Sequence, residues 1–205
     1  MLSAVLTVRV NSFMAAIVVP GRVAPAEICE NVGRFNGFGV GDDRGARMRI
    51  EPLSVPRIGE VIDLMGTGAP YITPRTSSDY WLYATLFSST CPLAVVDDAI
   101  VGAVIAFRSQ DDPDDIYFQD VITHPGHRRQ GTTRALIDTV ADRGREWGCR
   151  RLYLTSEPDN RAAHAAWITL GFTSIPGDHT IDGVSVITDY KGPGKTRAVY
   201  EKLLS

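Results

Sequence analysis

From Arg47 onward, apolar and polar positions fall into two rhythms. RMRIEPL (residues 47–53) alternates with the period of a half-buried strand. SVPRIGEVIDLMG then spaces its apolar residues as a helix opening at Ser54 and closing at Gly66. TSSDYWLYATLFSS keeps a helical spacing at Tyr80, Tyr83, Leu86 and Phe87, with Ser and Thr available as caps. PLAVVDD and AIVGAVIAFRS are apolar runs joined by a tight acidic turn at Asp97 and Asp98, which predicts a hairpin. A second hairpin follows, with DDPDD (residues 111–115) as its loop and IYFQDVITHP (residues 116–125) as its return strand.

TTRALIDTVADRGREWG carries the strongest helical signal. Ala135, Leu136, Thr139, Val140 and Trp147 recur near a 3.6-residue period, and Gly148 offers a stop. RLYLTS reads as a short strand, DNRAAHAAWITLGF as a helix capped by Asp159 or Asn160, and TRAVYEKLL as a closing strand. The predicted fold class is α/β (α+β): a mixed, mostly antiparallel twisted sheet flanked by helices, with one helix crossing over after the fourth strand.

Residues 1–46 follow neither rhythm, and RFNGFGVGDDRGAR (residues 34–47) has no sustained period. The domain is therefore expected to occupy residues 47–205. Residues 1–46 read as a flexible extension or as sequence ahead of a start at Met48, with a functional arm as the weaker alternative. The apolar run near the N-terminus is interrupted by Arg9 and Asn11 and lacks a leading basic residue, so neither a signal peptide nor a membrane span is expected.

Composition narrows the function classes. With 44% hydrophobic and 22% charged residues, the chain of 205 residues suits one globular core. A net charge of −3 argues against a nucleic-acid binder. Acid concentrates in DDPDD, and base in HRRQ (residues 127–130) and CRR (residues 149–151). The acidic loop reads as a soluble turn, or as a lip that attracts a cationic amine. Cys29, Cys91 and Cys149 are odd in number and far apart, so no zinc site or disulfide framework is expected and a reducing cytoplasm is the default.

The stretch HRRQGTTRALI joins a strand to a helix through a basic, glycine-containing loop. A helix start presents unpaired N–H groups and partial positive charge, which suits a phosphate. Gly131 lets the backbone approach closely, while Arg128, Arg129 and Arg134 add charge from the flanks. On these residues alone, a solvated basic helix start is the favoured reading.

The wider block resembles the GNAT superfamily of N-acetyltransferases. DVITHPGHRRQGTTRAL is similar to the family's strand followed by R/Q-x-x-G-x-G/A, with Arg128 opening the motif and Gly131 as its first glycine. NRAAHAAWITLGF is similar to the family's second motif at Asn160, Ala163, Gly171 and Phe172. The resemblance covers residues 47–205 and implies acetyl-CoA as co-substrate, with no metal. It implies that Val121, Ile122 and Thr123 lie along the pantetheine arm. Arg129, Gln130, Gly131, Thr132, Thr133 and Arg134, with Arg128 ahead of them, would cradle the pyrophosphate, and Asn160 would face the cofactor. Thr133 departs from the family's Gly or Ala, and its hydroxyl is expected either to crowd or to meet a phosphate oxygen. Trp167 stands where many members carry a tyrosine that protonates the leaving thiolate. An indole N–H cannot do this near neutral pH, so either another group serves, with Tyr153 and His164 as candidates, or the thiolate leaves unprotonated and takes its proton from water.

Acetyl transfer to an amine requires loss of a proton and stabilisation of a developing oxyanion. Asp120 and Glu157 are the candidate carboxylates, each with a structural alternative as a strand-end ion pair or helix-start charge. Within the superfamily, FSSTCPLAVVDDAIVG, EPDN and Trp167 resemble diaminobutyrate acetyltransferases of ectoine synthesis. Gln119, Tyr153 and the segment TPRTSSDY depart from that subgroup, and Lys191, Lys195 and Arg197 are further cations for a substrate carboxylate or a CoA phosphate. The expected partner is a small primary amine, with a homodimer as an open arrangement. The alternatives are a protein N-terminal or lysine acetyltransferase and a non-catalytic acyl-CoA-binding module.

Overall fold

The computed structural model describes residues 47–205. The expectations for residues 1–46 therefore lie outside the described residues. Strand β1 (Arg49–Pro52) leads through a 3-10 turn into α1 (Ile58–Gly66) and α2 (Ser77–Leu86). Thr76 caps α2 in a reciprocal capping box, its hydroxyl accepting from the Asp79 N–H while the Asp79 carboxylate accepts from the Thr76 N–H. Strands β2 (Pro92–Val96), β3 (Ala99–Arg108) and β4 (Asp115–Thr123) follow as antiparallel neighbours. Asp97 and Asp98 both adopt positive φ, as a two-residue hairpin turn requires, and the Asp98 carboxylate accepts a 2.7 Å bond from Arg49.

Helix α3 (Thr132–Glu146) carries the chain back so that β5 (Arg151–Ser156) pairs parallel to β4. Helix α4 (Arg161–Thr169), the short β6 (Thr173–Ser174), a hairpin of β7 (His179–Ile181) and β8 (Val184–Val186), and β9 (Ala198–Leu203) complete the chain. The main sheet has seven strands in the order β1-β2-β3-β4-β5-β9-β6, antiparallel except at β4–β5. This is the mixed, mostly antiparallel sheet expected from the sequence.

A core lies on each face. On one side Leu136, Ile137, Val140 and Ala141 of α3 pack against Val104, Phe118 and Leu154. On the other, Val61, Leu64 and Met65 of α1 and Tyr80 of α2 pack against Leu93, Ala103 and Ile105. Gly102 sets how closely α3 approaches: a Cβ there would lie 2.8 Å from Thr132 Cγ2 and 3.0 Å from Leu136 Cδ1. The first turn of α3 is thereby pressed onto the middle of β3.

The closing segment holds more structure than its pattern suggested. Asp182 and Gly183 both take positive φ and turn the β7–β8 hairpin. The exposed HTI of β7 carries no apolar alternation, so only the Asp-Gly pair marked it. Among the described residues, no helix is long and apolar enough to cross a membrane.

Candidate active site

Two irregularities open the sheet at its centre. Parallel pairing of β4 with β5 stops at Phe118–Leu154, so residues 119–123 of β4 and 155–156 of β5 diverge. The β3–β4 register also slips there: Ala106 faces Phe118, while Ile105 faces Asp120, which leaves Gln119 as an extra residue. Such a bulge reverses the facing of every side chain that follows it. Phe118 belongs to the core under α3, whereas Asp120 and Ile122 face the α1–α2 side opposite it. A regular strand would have placed Asp120 on the α3 side with Phe118. The resulting cleft, about 1670 Å³, runs through the split and is larger than a compact small-molecule pocket.

On the α3 side the cleft reaches an anion-ready helix start. Gly131 sits at the N-cap with φ of 82°, and no side chain caps the helix. The first helical bond of this turn is Ala135 N–H to Gly131 O at 3.0 Å, so the amides of residues 132–134 have no helical partner. Arg129 is also left-handed, with φ of 62°, which folds the loop back on itself. Arg128 Nε donates to Thr123 O at 3.4 Å, and Arg134 donates to Thr169 O at 3.1 Å at the C-terminal end of α4.

Thr133 lines the cleft, and its side chain has a partner within the protein. Its hydroxyl bonds the Thr123 hydroxyl at 2.9 Å and so ties the end of β4 to the start of α3. The predicted cofactor residues line the cleft with one exception. Gln130 does not line it, and its amide donates instead to Gly126 O at 3.3 Å.

On the opposite side Asp120 is nearly buried, with 13% of its side chain exposed. Burial pushes its carboxyl above the ordinary range, against the pull of Arg75, Lys191 and a hydrogen bond from Gln119. The Arg75 guanidinium stands 3.9 Å away, and Lys191 Nζ lies 5.1 Å from the Tyr117 ring. Arg75 carried no local sequence signal, because its relation to Asp120 is formed only by tertiary folding. Glu157 also lines the cleft but accepts a 2.8 Å salt bridge from Arg197, itself largely buried.

Asn160 lines the cleft and caps α4, its side-chain oxygen accepting from Ala163 N–H at 3.1 Å. Trp167 turns its N–H to Ser156 Oγ at 2.8 Å and packs edge-on against Phe172. Neither Tyr153 nor His164 lines the cleft, which removes both as substitutes for a family tyrosine. Tyr153 stacks against Tyr117, and His164 Nδ1 bonds the buried Tyr200 hydroxyl at 2.5 Å. The acidic loop is equally remote. Asp115 binds Arg150 at 2.9 Å and Arg151 at 2.6 Å, so DDPDD neutralises CRR and forms no lip to the cleft. Among the described residues, no cluster of three or more His, Cys, Asp or Glu could hold a metal ion.

Known proteins share this architecture. A curated L-2,4-diaminobutyric acid acetyltransferase of Nocardia farcinica (strain IFM 10152) is 30% identical over 115 residues. That match takes in 55% of this chain and 60% of the relative's length. A solved diaminobutyrate acetyltransferase from Paenibacillus lautus, in complex with L-2,4-diaminobutyric acid and coenzyme A, superposes with a TM-score of 0.63 at 20% identity. The superposition covers 78% of this chain and 96% of that one. The ribosomal-protein-S18-alanine N-acetyltransferase of Escherichia coli superposes with a TM-score of 0.58 at 16% identity, over 78% and 95% of the two chains. At such identities these structures speak for the fold alone. The model of the acetyltransferase (GNAT) family matches residues 62–172, more than half of the 205 residues, and the chain belongs to that family.

Proposed function

We propose that the chain transfers an acetyl group from acetyl-CoA to a primary amine of a small molecule by direct attack. The observation that carries this reading is the cleft that passes through the sheet. An uncapped, glycine-led helix start stands on one face, and a nearly buried carboxylate stands on the other. The residues present suit the co-substrate: the amides of residues 132–134 for a pyrophosphate, and the open backbone of residues 121–123 for the amide-bearing arm. When bound, acetyl-CoA supplies an activated acyl group on a sulfur leaving group.

Asp120 takes the amine proton. Its raised affinity for protons makes it a better base than an ordinary surface carboxylate, and Arg75 and Lys191 keep it ionised. Glu157 is committed to Arg197 and holds that cation at the mouth of the cleft, so it serves position more than proton transfer. The 30% identity to a curated L-2,4-diaminobutyric acid acetyltransferase supports a small diamino acid as acceptor. One amine would meet Asp120, and a carboxylate would meet Lys191 or Arg75.

Thiol release by the purified chain with acetyl-CoA tests the proposal against a panel of diamines, diamino acids and peptides. Turnover confined to small amines is expected. Turnover confined to peptides would move the function to protein acetylation, and absence of acetyl-CoA binding would overturn the reading.

A further inference from the structure

Ser156 and Trp167, both lining the cleft, form a hydrogen-bonded pair whose polarity can be deduced. An indole N–H only donates, so Ser156 Oγ is the acceptor in their 2.8 Å bond. The Ser156 proton must then point elsewhere. Ser156 is 8% exposed and lines the cleft, and among the described residues no second hydrogen-bond partner of its hydroxyl is found. A buried hydroxyl proton without an acceptor costs about 1–3 kcal/mol, so this one is directed at whatever fills the cleft, water or ligand.

The neighbouring polar groups are oriented differently. Thr155 faces the other side of the sheet, where its hydroxyl meets Tyr117 OH at 3.3 Å. Asn160 caps α4 through its oxygen and keeps its amide N–H groups, one hydroxyl proton of the Thr123–Thr133 pair is unassigned, and the Trp167 N–H is held by Ser156 itself. Ser156 is the last residue of β5, at the point where β5 has parted from β4. Its side chain lines the cleft that this split opens.

We propose that Ser156, oriented by Trp167, is the hydrogen-bond donor that stabilises the departing thiolate sulfur. The inference rests on the acetyl-transfer reading given above. As the carbon–sulfur bond breaks, the electron pair settles on sulfur and the Ser156 O–H donates a hydrogen bond to it. The amine proton goes to Asp120. Serine keeps its own proton, because an alcohol is a far weaker acid than a thiol, and the thiolate takes a proton from solvent on release. Ser156 thus does electrostatically what a phenol would do by proton transfer. Trp167 acts through it as a positioning residue, fixing the hydroxyl rotor so that the proton faces the sulfur.

The test reads the sulfur directly. Coenzyme A is bound to the protein, and its thiolate is followed by ultraviolet absorbance as pH is raised. In the unaltered protein the bound thiol is expected to ionise at lower pH than free coenzyme A titrated alongside it. In Ser156→Ala it should ionise at higher pH than in the unaltered protein. Trp167→Phe, which removes the N–H and keeps a large apolar ring, should shift it part of the way. Turnover should fall about 10-fold or more in Ser156→Ala with little change in the KM for acetyl-CoA, and Ser156→Thr should recover most of it. Equal thiol titration in the unaltered protein and in Ser156→Ala, with coenzyme A bound to both, would overturn the role of Ser156. Failure of the unaltered protein to bind coenzyme A would instead sink the acetyl-transfer reading. Circular dichroism of each variant separates loss of fold from loss of the hydroxyl.

Discussion

A single inserted residue gives Asp120 its chemistry. The bulge at Gln119 turns Asp120 away from the α3 core and toward Arg75 and Lys191, on the face where an acceptor can enter. Burial then raises its carboxyl, and the two cations limit the rise. Asp120→Asn keeps the shape and removes the base, so turnover should fall about 100-fold or more. The affinity for acetyl-CoA, measured by calorimetry, should stay within a few-fold of the original, and unchanged turnover would remove Asp120 from the mechanism. Arg75→Gln takes away the cation beside the carboxylate and so disfavours its charged form. The Asp120 carboxyl, followed by carbon NMR and assigned by its disappearance in Asp120→Asn, should therefore titrate at still higher pH in that variant. An unchanged titration would show that the two side chains do not interact. The sequence offered Asp120 as a candidate by position in a motif. It did not reveal the bulge, because IYFQDVITHP reads as an unbroken strand and the slip exists only in its pairing with β3.

Among whole elements, the long periods were legible and the short pairings were not. Helix α3 follows its apolar spacing, and Leu136, Ile137, Val140 and Ala141 form the buried face. The hairpin turn at Asp97 and Asp98 also stands where the acidic pair placed it. The β7–β8 hairpin escaped because its first strand is exposed along its length and gives hydrophobic patterning nothing to detect. The meaning of DDPDD escaped for another reason: its partners, Arg150 and Arg151, lie across the β4–β5 pairing and far along the chain. Burial alone would raise the Asp115 carboxyl, but the bonds from Arg151 and Arg150 outweigh it and hold it below the ordinary range. Asp115→Asn should cost about 3 kcal/mol in urea unfolding near neutral pH, since it strands a partly buried guanidinium. A carboxyl depressed in the folded state adds stability above its unfolded value, about 3.9, and that share is lost as pH falls through the folded value. The variant should accordingly lose less stability than the original protein between neutral pH and pH values below about 4. A second element-scale test lies at Gly102, where an added Cβ meets the branched Thr132 side chain. Gly102→Ala should lower stability by about 1–3 kcal/mol and weaken coenzyme A binding, because the first turn of α3 must retreat from the sheet. Weakened stability with unaltered binding would separate that contact from the phosphate cradle.

At the scale of the molecule, the charges sort themselves along β4. Its first residue, Asp115, anchors the acidic loop to Arg150 and Arg151, while its last, Thr123, adjoins the basic loop that carries Arg128 and Arg129. A net charge of −3 thus conceals a local basic end where an anionic co-substrate would enter. The parting of β4 from β5 has a further consequence, in the language of mass action and amide exchange. Residues 119–123 present to β5 a stretch of sheet edge inside the fold, finished by whatever occupies the cleft. Occupancy must then appear as stability. At 100 times its dissociation constant, a ligand that binds only the folded state adds about 2.7 kcal/mol. Hydrogen–deuterium exchange should slow on coenzyme A binding at the split and at the start of α3, and remain unchanged at the β7–β8 hairpin. The resting molecule is, in this sense, a sheet with its central seam unsewn, and its thermal midpoint is a gauge of how much acyl carrier surrounds it.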